Sequence, residues 1–239
     1  MSIKKKIGLV VVFLIIALMV MILPMVITMM SFRPAPTGAI TEEFFAIKDK
    51  FVDDFVLKNG DDLICFDGGN KPESLRAEFT KAGLDPLKVK AVFLTHSDGD
   101  HVDALPIFKN AVVYLPEKEE PLVTGVVKRK FMFLRKTNVL PVKKYTLIKD
   151  GEQIKFGKAV IKAILTPGHT IGSTSYLING KYLVIGDLAI IKDGKLIGMP
   201  KPPSEDPAVI EESLKIVKAL KGVEYIATAH GGVLKMPKK

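Results

Sequence analysis

Cysteine is almost absent from this chain: one residue, Cys65, in 239. That excludes a disulfide framework and any cysteine-rich zinc module. Tryptophan is missing altogether, and histidine is held to four residues. Acidic side chains are outnumbered, 26 against 35 Lys and Arg, for a formal net charge of +9. With 26% charged and 48% hydrophobic residues, the chain is neither a disordered tail nor a polytopic membrane protein. The 19 Gly and 15 Pro favour a turn-rich mixed fold over a helical bundle. Cys65, inside the apolar run Leu63–Phe66, reads as a small buried hydrophobe.

Long uncharged runs are also lacking, with one exception. Ile7 to Phe32 is 26 residues without a charge, and 22 of them are apolar. As a helix it would rise about 39 Å, enough to cross a hydrocarbon core of roughly 30 Å. A cleaved signal peptide has a shorter apolar stretch and a small-residue cleavage site, and Met29-Met30-Ser31-Phe32 offers none. The run is therefore expected to be an uncleaved single-pass anchor. Lys4, Lys5 and Lys6 precede it, and lysines beside a span stay cytoplasmic. The expected topology has a cytoplasmic amino terminus and an extracytoplasmic main domain. The organisation read from the sequence is a basic flank (1–6), the anchor (7–32), a Pro- and Gly-containing linker (33–43) and one domain (44–239).

The domain alternates short β-like runs with turn signals such as Asn59-Gly60, Asp150-Gly151, Asn179-Gly180 and Asp193-Gly194. Helical spacing appears over Pro72–Ala82, with Gly83 as C-cap, and over Pro207–Leu220, with Asp206 as N-cap. Two β-rich halves, each with a helix, predict sheet-on-sheet packing with helices outside. From Lys128 to Lys149 lie eight basic residues, interrupted by Phe131, Met132, Phe133 and Leu134. This stretch reads either as a solvated surface segment or as a lip for an anionic membrane or substrate. No nucleic-acid recognition motif accompanies it, and no nucleic-acid partner is expected.

The chemistry concentrates in Thr95–His101, THSDGDH, directly after the apolar run Val89–Leu94. His96 and Asp98 are two apart, so on extended backbone they face the same side. Gly99 permits a turn that brings Asp100 and His101 to a nearby point. Four such side chains crowd together at low cost only around a cation. His169 (TPGHT), Asp187 (IGD) and His230 (TAHGG) each follow a predicted strand. All four histidines thus stand in equivalent places.

This pattern resembles the metallo-β-lactamase-fold superfamily, whose signature is HxHxDH followed by a distant His, an Asp and a final His. The resemblance runs from Phe44 to the carboxyl end and includes Phe66-Asp67-Gly68-Gly69. It implies an α/β fold, an αββα sandwich behind one transmembrane helix, with a metal site along one edge of the sheets. By the resemblance, His96, Asp98 and His169 would hold one divalent metal. Asp100, His101 and His230 would hold a second, and Asp187 would bridge them. Asp67 would support the ligands from behind; as a residue before two glycines it also reads as a turn-capping Asp. Asp98 departs from the family, where a second His is usual. Zinc is the expected metal at both positions, with iron or manganese admitted because carboxylate favours harder ions.

The implied activity is metal-dependent hydrolysis of an ester, thioester, lactone or phosphoester in a small-molecule substrate. Two metals would activate a hydroxide, with Asp100 handling its proton. A β-lactamase is not favoured, because some lactamase branches carry Cys at the position of Asp187. The 68-residue interval from His101 to His169 leaves no room for the inserted domain of RNA-processing members. Two other readings are a diiron-type redox enzyme, motivated by Asp98, and a non-catalytic membrane-tethered module.

Overall fold

The computed structural model describes residues 3–131 and 134–237. Helix α1 (Ile3–Met30) is long and apolar enough to span a membrane, and only 6% of its most apolar window is buried. A core helix would be covered on most sides; this one is largely uncovered and meets the domain near its carboxyl end, around Thr28.

After α1, the chain builds β1 (Gly38–Ala39), β2 (Phe44–Asp49), β3 (Val52–Asn59) and β4 (Asp62–Phe66) as antiparallel neighbours. Helix α2 (Pro72–Lys81) crosses over to β5 (Val89–Phe93), parallel to β4, and the short α3 (Gly99–Val102) leads on to β6 (Val112–Pro116). The short α4 (Glu120–Val123) precedes a separate hairpin, β7 (Arg129–Phe131) with β8 (Leu134–Lys136). Met132 and Phe133, part of the apolar insert in the basic stretch, lie outside the described residues. Strand β9 (Thr146–Ile148) completes a seven-stranded sheet.

The second sheet takes β10 (Gln153–Phe156), β11 (Ala159–Leu165), β12 (Thr174–Ile178) and β13 (Tyr182–Val184). The hairpin β14 (Ala189–Lys192)/β15 (Lys195–Gly198) and helix α5 (Pro207–Ala219) follow. Then β16 (Tyr225–Thr228) runs parallel to β13, and β17 (Gly232–Lys235) closes the edge.

Strand alternation turns these sheets into four layers. On β4, Leu63 and Cys65 face α2, packing with Leu75 and Phe79, while Ile64 and Phe66 face the other sheet. Phe44, Phe55, Phe93, Tyr176 and Tyr182 fill the space between the sheets. Each such ring contributes about 1.5–3 kcal/mol by leaving water. Ile210, Leu214 and Val217 of α5 cover the far face of the second sheet against Leu183 and Ile226. The architecture is the expected αββα sandwich behind one apolar helix. Asp206 caps α5 as expected, accepting from Ala208 N and Val209 N.

The linker differs from expectation. Arg33 N donates to His230 O at 2.7 Å, Ala35 N to Asp53 Oδ2 at 2.7 Å, and Gly38–Ala39 pairs with β2. Pro34 and Pro36 hide this in the sequence: the segment has no periodicity, yet its remaining amides are satisfied by the domain.

One close approach ties the two sheets at the functional end. A Cβ on Gly172 would stand 2.2 Å from Glu119 N and 2.4 Å from Lys118 C, both backbone. Gly172→Ala is therefore expected to destabilise the domain by about 1–3 kcal/mol through overpacking. The check is thermal unfolding, where an unchanged midpoint would contradict this packing.

Candidate metal centre

Every expected site residue lies just beyond a strand end, on one edge of the sandwich. Asp67 follows β4, His96 to His101 follow β5, His169 follows β11, Asp187 follows β13 and His230 follows β16. The IGD turn needs its glycine: Gly186 has φ +51°, and a Cβ there would meet the Thr95 side chain at 2.5 Å. That approach presses the Asp187 turn against the His96 loop. Asp67 itself has φ +68°, uncommon for a non-glycine residue. Its carboxylate accepts from Thr95 N (2.7 Å) and Thr95 Oγ1 (2.8 Å) and lies 2.9 Å from His101 Nδ1. It therefore both lashes the His96 loop and supports a histidine; it does not cap its own turn, whose Gly68 and Gly69 amides go to His101 O and Asp54 Oδ1 instead.

Each histidine turns Nδ1 outward to a partner and Nε2 inward. His101 uses Asp67; His96 lies 3.0 Å from Thr95 Oγ1; His169 lies 3.4 Å from Ser204 Oγ; His230 donates to Phe51 O at 2.7 Å. Outer partners of this kind fix the ring orientation of metal-binding histidines. Asp187 Oδ1 stands 3.4 Å from His101 Nε2 and 3.2 Å from His230 Nε2, while its Oδ2 is 3.5 Å from His169 Nε2. The two oxygens thus face different members of the cluster. Asp100 Oδ2 is 3.5 Å from His230 Nε2 and 3.8 Å from His101 Nε2. Asp98 Oδ2 is 3.2 Å from His169 Nε2 and 3.9 Å from His96 Nε2.

His96 Nε2, His101 Nε2 and Asp187 Oδ1 are buried without a hydrogen-bond partner. Orphaned polar atoms at this density are costly, and all three point into the cluster. The donor set fits divalent metal: ligand atoms of His96, Asp98 and His169, of His96, His101 and Asp187, and of Asp100, His101 and His230 each lie within 4.8 Å of one another.

The charges agree. Burial holds the His96 imidazole well below its ordinary range, and His101 and His169 push it further, so it stands neutral. Burial also opposes charge on His101, but Asp67, Asp100 and Asp187 outweigh it and raise the group well above normal. On Asp187 burial is overcome by His230, His101 and His169, which keep the carboxyl well below the usual carboxylate range.

Four contributors were not legible in the sequence. Arg129, fully buried, forks onto Asp98: Nε lies 3.0 and 3.1 Å from the two carboxylate oxygens and Nη2 lies 2.8 Å from Oδ2. The same Nη2 reaches His169 Nε2 at 3.2 Å, and Nη1 reaches Glu205 Oε1 at 3.1 Å. Asn138 Nδ2 donates to Asp98 Oδ1 at 3.0 Å. Glu119, also buried, accepts from Ser97 N and Ser97 Oγ on one oxygen and from Thr170 Oγ1 on the other. It ties the His96 loop to the His169 loop. One signal could have led to Arg129: an extra carboxylate at position 98 asks for a nearby cation, and the acid-free basic stretch supplies one.

Helices outside two packed sheets, with a His- and Asp-lined centre on one edge, define a class of metal-dependent hydrolases. The chain belongs to the metallo-beta-lactamase superfamily, whose family model matches residues 48–230. It is 32% identical over 155 residues to a probable metallo-hydrolase of Methanocaldococcus jannaschii, covering 65% of this chain and 63% of that one. A hydroxyacylglutathione hydrolase of Bartonella tribocorum is 33% identical over 153 residues, 61% of this chain and 50% of the relative. The chain thus spans only part of these relatives' length. Among solved structures, a subclass B3 metallo-beta-lactamase of Bradyrhizobium japonicum superposes with a TM-score of 0.65 at 19% identity, covering 84% and 79% of the two chains. At that identity the likeness is one of fold.

Proposed function

We propose that this protein is a membrane-anchored hydrolase with a two-metal centre, acting on an ester, thioester, lactone or phosphoester. The observation that carries it is the convergence of three orphaned buried donor atoms among four histidines already oriented by their Nδ1 partners. His96, Asp98 and His169 form one position; Asp100, His101 and His230 form the other; Asp187 offers one oxygen to each. Bound there, divalent metals supply Lewis-acid activation of a water and polarise the oxygen of the scissile group. Asp100, with its side chain 26% exposed at the cavity mouth, is placed to take the proton of the attacking water and pass it outward. The relatives named for hydrolysis of hydroxyacylglutathione support an acyl compound as substrate. Arg129 engages both oxygens of Asp98 and offsets the charge of that hard carboxylate, which favours zinc over iron.

The test is metal analysis of the purified protein together with a panel of ester, thioester, lactone and phosphodiester substrates. Zinc with turnover supports this reading. Stoichiometric iron without hydrolysis supports the redox alternative, and metal without any turnover the non-catalytic module.

The apolar helix, largely uncovered by the domain, is read as a membrane anchor with the domain outside. The basic stretch is read as a surface contact with anionic lipid. Seven of its eight cations are exposed; Arg129 is not, and belongs to the site instead. Each cation near an anionic surface contributes about 1 kcal/mol. A form lacking the apolar helix is expected to co-sediment with anionic but not neutral liposomes, less so at high salt. Changing Lys128, Lys130, Arg135 and Lys136 to Gln should reduce the binding. Equal pelleting with both lipids would remove the basic contact and leave only the anchor.

A further inference from the structure

A cavity of about 340 Å³ opens onto the metal centre, and its far wall is the end of the apolar helix. Met25, Thr28, Met29 and Phe32 line it. They recur at the three- and four-residue spacing that keeps one face of a helix together. The contact is direct: the Phe32 ring lies on the His230 imidazole, with centroids 4.1 Å apart and planes 11° apart. Arg33 N donates to His230 O, so the backbone leaving the helix is pinned to the same residue. Phe51 and Phe131 add further apolar surface from the domain side.

Helix α1 ends at Met30, and Met25 lies five residues earlier, about 7.5 Å along the axis. If α1 spans a bilayer, this wall crosses the boundary between headgroups and hydrocarbon. The cavity is at the small end of the roughly 300–1,000 Å³ typical of ligand sites. It has room for a polar head and the first carbons of a chain. Beyond it the same helix face continues to Met21, 39% exposed. Lys136 lines the polar side, facing the carboxylates of Asp98, Asp100 and Asp187 across the cavity. Lys130 and Arg135 pair with each other on the opposite face of the same hairpin, so Lys136 is the cation that a ligand head would meet there.

We propose that the substrate is an anionic lipid ester that reaches the centre from the bilayer along this face of α1. Its acyl chain lies against Met25 and Met29, its head faces Lys136, and its scissile bond lies beside Asp187 and His230. Water adds to the acyl or phosphoryl centre, the ester C–O or P–O bond breaks, and Asp100 carries the proton from the water to the departing oxygen. The proposal rests on the hydrolase reading above and adds to it the route and class of substrate.

The experiment uses the full chain in lipid nanodiscs with two measurements. The first is photolabelling by a lysophosphatidic acid analogue carrying a diazirine in its acyl chain. Saturable labelling of the peptides containing Phe51 and Phe131, competed by unlabelled lysophosphatidic acid, is expected. Labelling of the helix alone would reflect ordinary lipid contact and overturns the proposal. The second is the ratio of kcat/KM for that lipid to kcat/KM for 4-nitrophenyl acetate. Met29→Trp, or independently Met25→Trp, should lower this ratio at least tenfold and reduce the domain-side labelling. An unchanged ratio overturns the route. Labelling as expected with neither ester hydrolysed would sink the hydrolase reading while keeping the lipid site.

Discussion

Asp187→Ala is expected to strip the protein of most of its metal and, with it, of turnover. Asp187 is the residue around which three histidines gather, at 3.2 to 3.5 Å from its two oxygens. Losing even an outer support of a ligand typically costs 10–100-fold in metal affinity, so loss of the central carboxylate should cost about 100-fold or more. A second effect follows in the metal-free protein. Asp187 and Asp100 are the carboxylates that raise the His230 imidazole against its burial. Without Asp187 the cluster loses much of its compensating negative charge, and the metal-free protein should unfold at lower temperature. Metal content by elemental analysis and unfolding with and without zinc check both parts. Retention of full metal content by Asp187→Ala would mean that the shared-carboxylate arrangement is wrong.

The site was legible where a single local rule produced it. His96, Asp98, Asp100 and His101 sit within six residues after an apolar run, so spacing alone gathers them. His169, Asp187 and His230 were visible because each follows a predicted strand, and strand ends on β scaffolds are where loops carry chemistry. The two packed layers were legible from the turn signals and the two amphipathic helices. Partners set by tertiary contact were not. Glu119 lies in Glu117-Lys118-Glu119-Glu120, which looks like a solvated surface, yet its carboxylate is wholly buried between two ligand loops. Arg129 is one of eight similar cations, and no periodicity marks it as the buried one. The docked linker escaped for a related reason. Its hydrogen bonds go to residues far along the chain, such as Arg33 to His230 and Ala35 to Asp53, and satisfied amides leave no trace in hydrophobic patterning.

Replacing Arg129 with Ala should produce a protein whose stability depends far more on metal than the parent's does. In the metal-free state the guanidinium neutralises Asp98 and Glu205 inside the fold, and burial is overcome by these partners in keeping Arg129 charged. Breaking a buried pair by removing one partner costs about 3–5 kcal/mol. At about 2–4 °C per kcal/mol for a domain of this size, that is a fall of roughly 6–20 °C in unfolding midpoint. Saturating zinc should close much of the gap, because a metal at the first position takes over the lone pairs of Asp98 Oδ2 and His169 Nε2 that Arg129 now holds. The same competition predicts that the parent binds one equivalent of zinc tightly and a second weakly, whereas Arg129→Ala binds two more nearly alike. Asp98→His alone should not restore the usual centre, since it sets an imidazole against a guanidinium still held in place by Glu205; paired with Arg129→Ala it should. Arg129→Lys keeps the charge but loses the fork, and should fall between. If zinc leaves the gap between Arg129→Ala and the parent untouched, the first position is a structural ion pair and the centre holds a single metal.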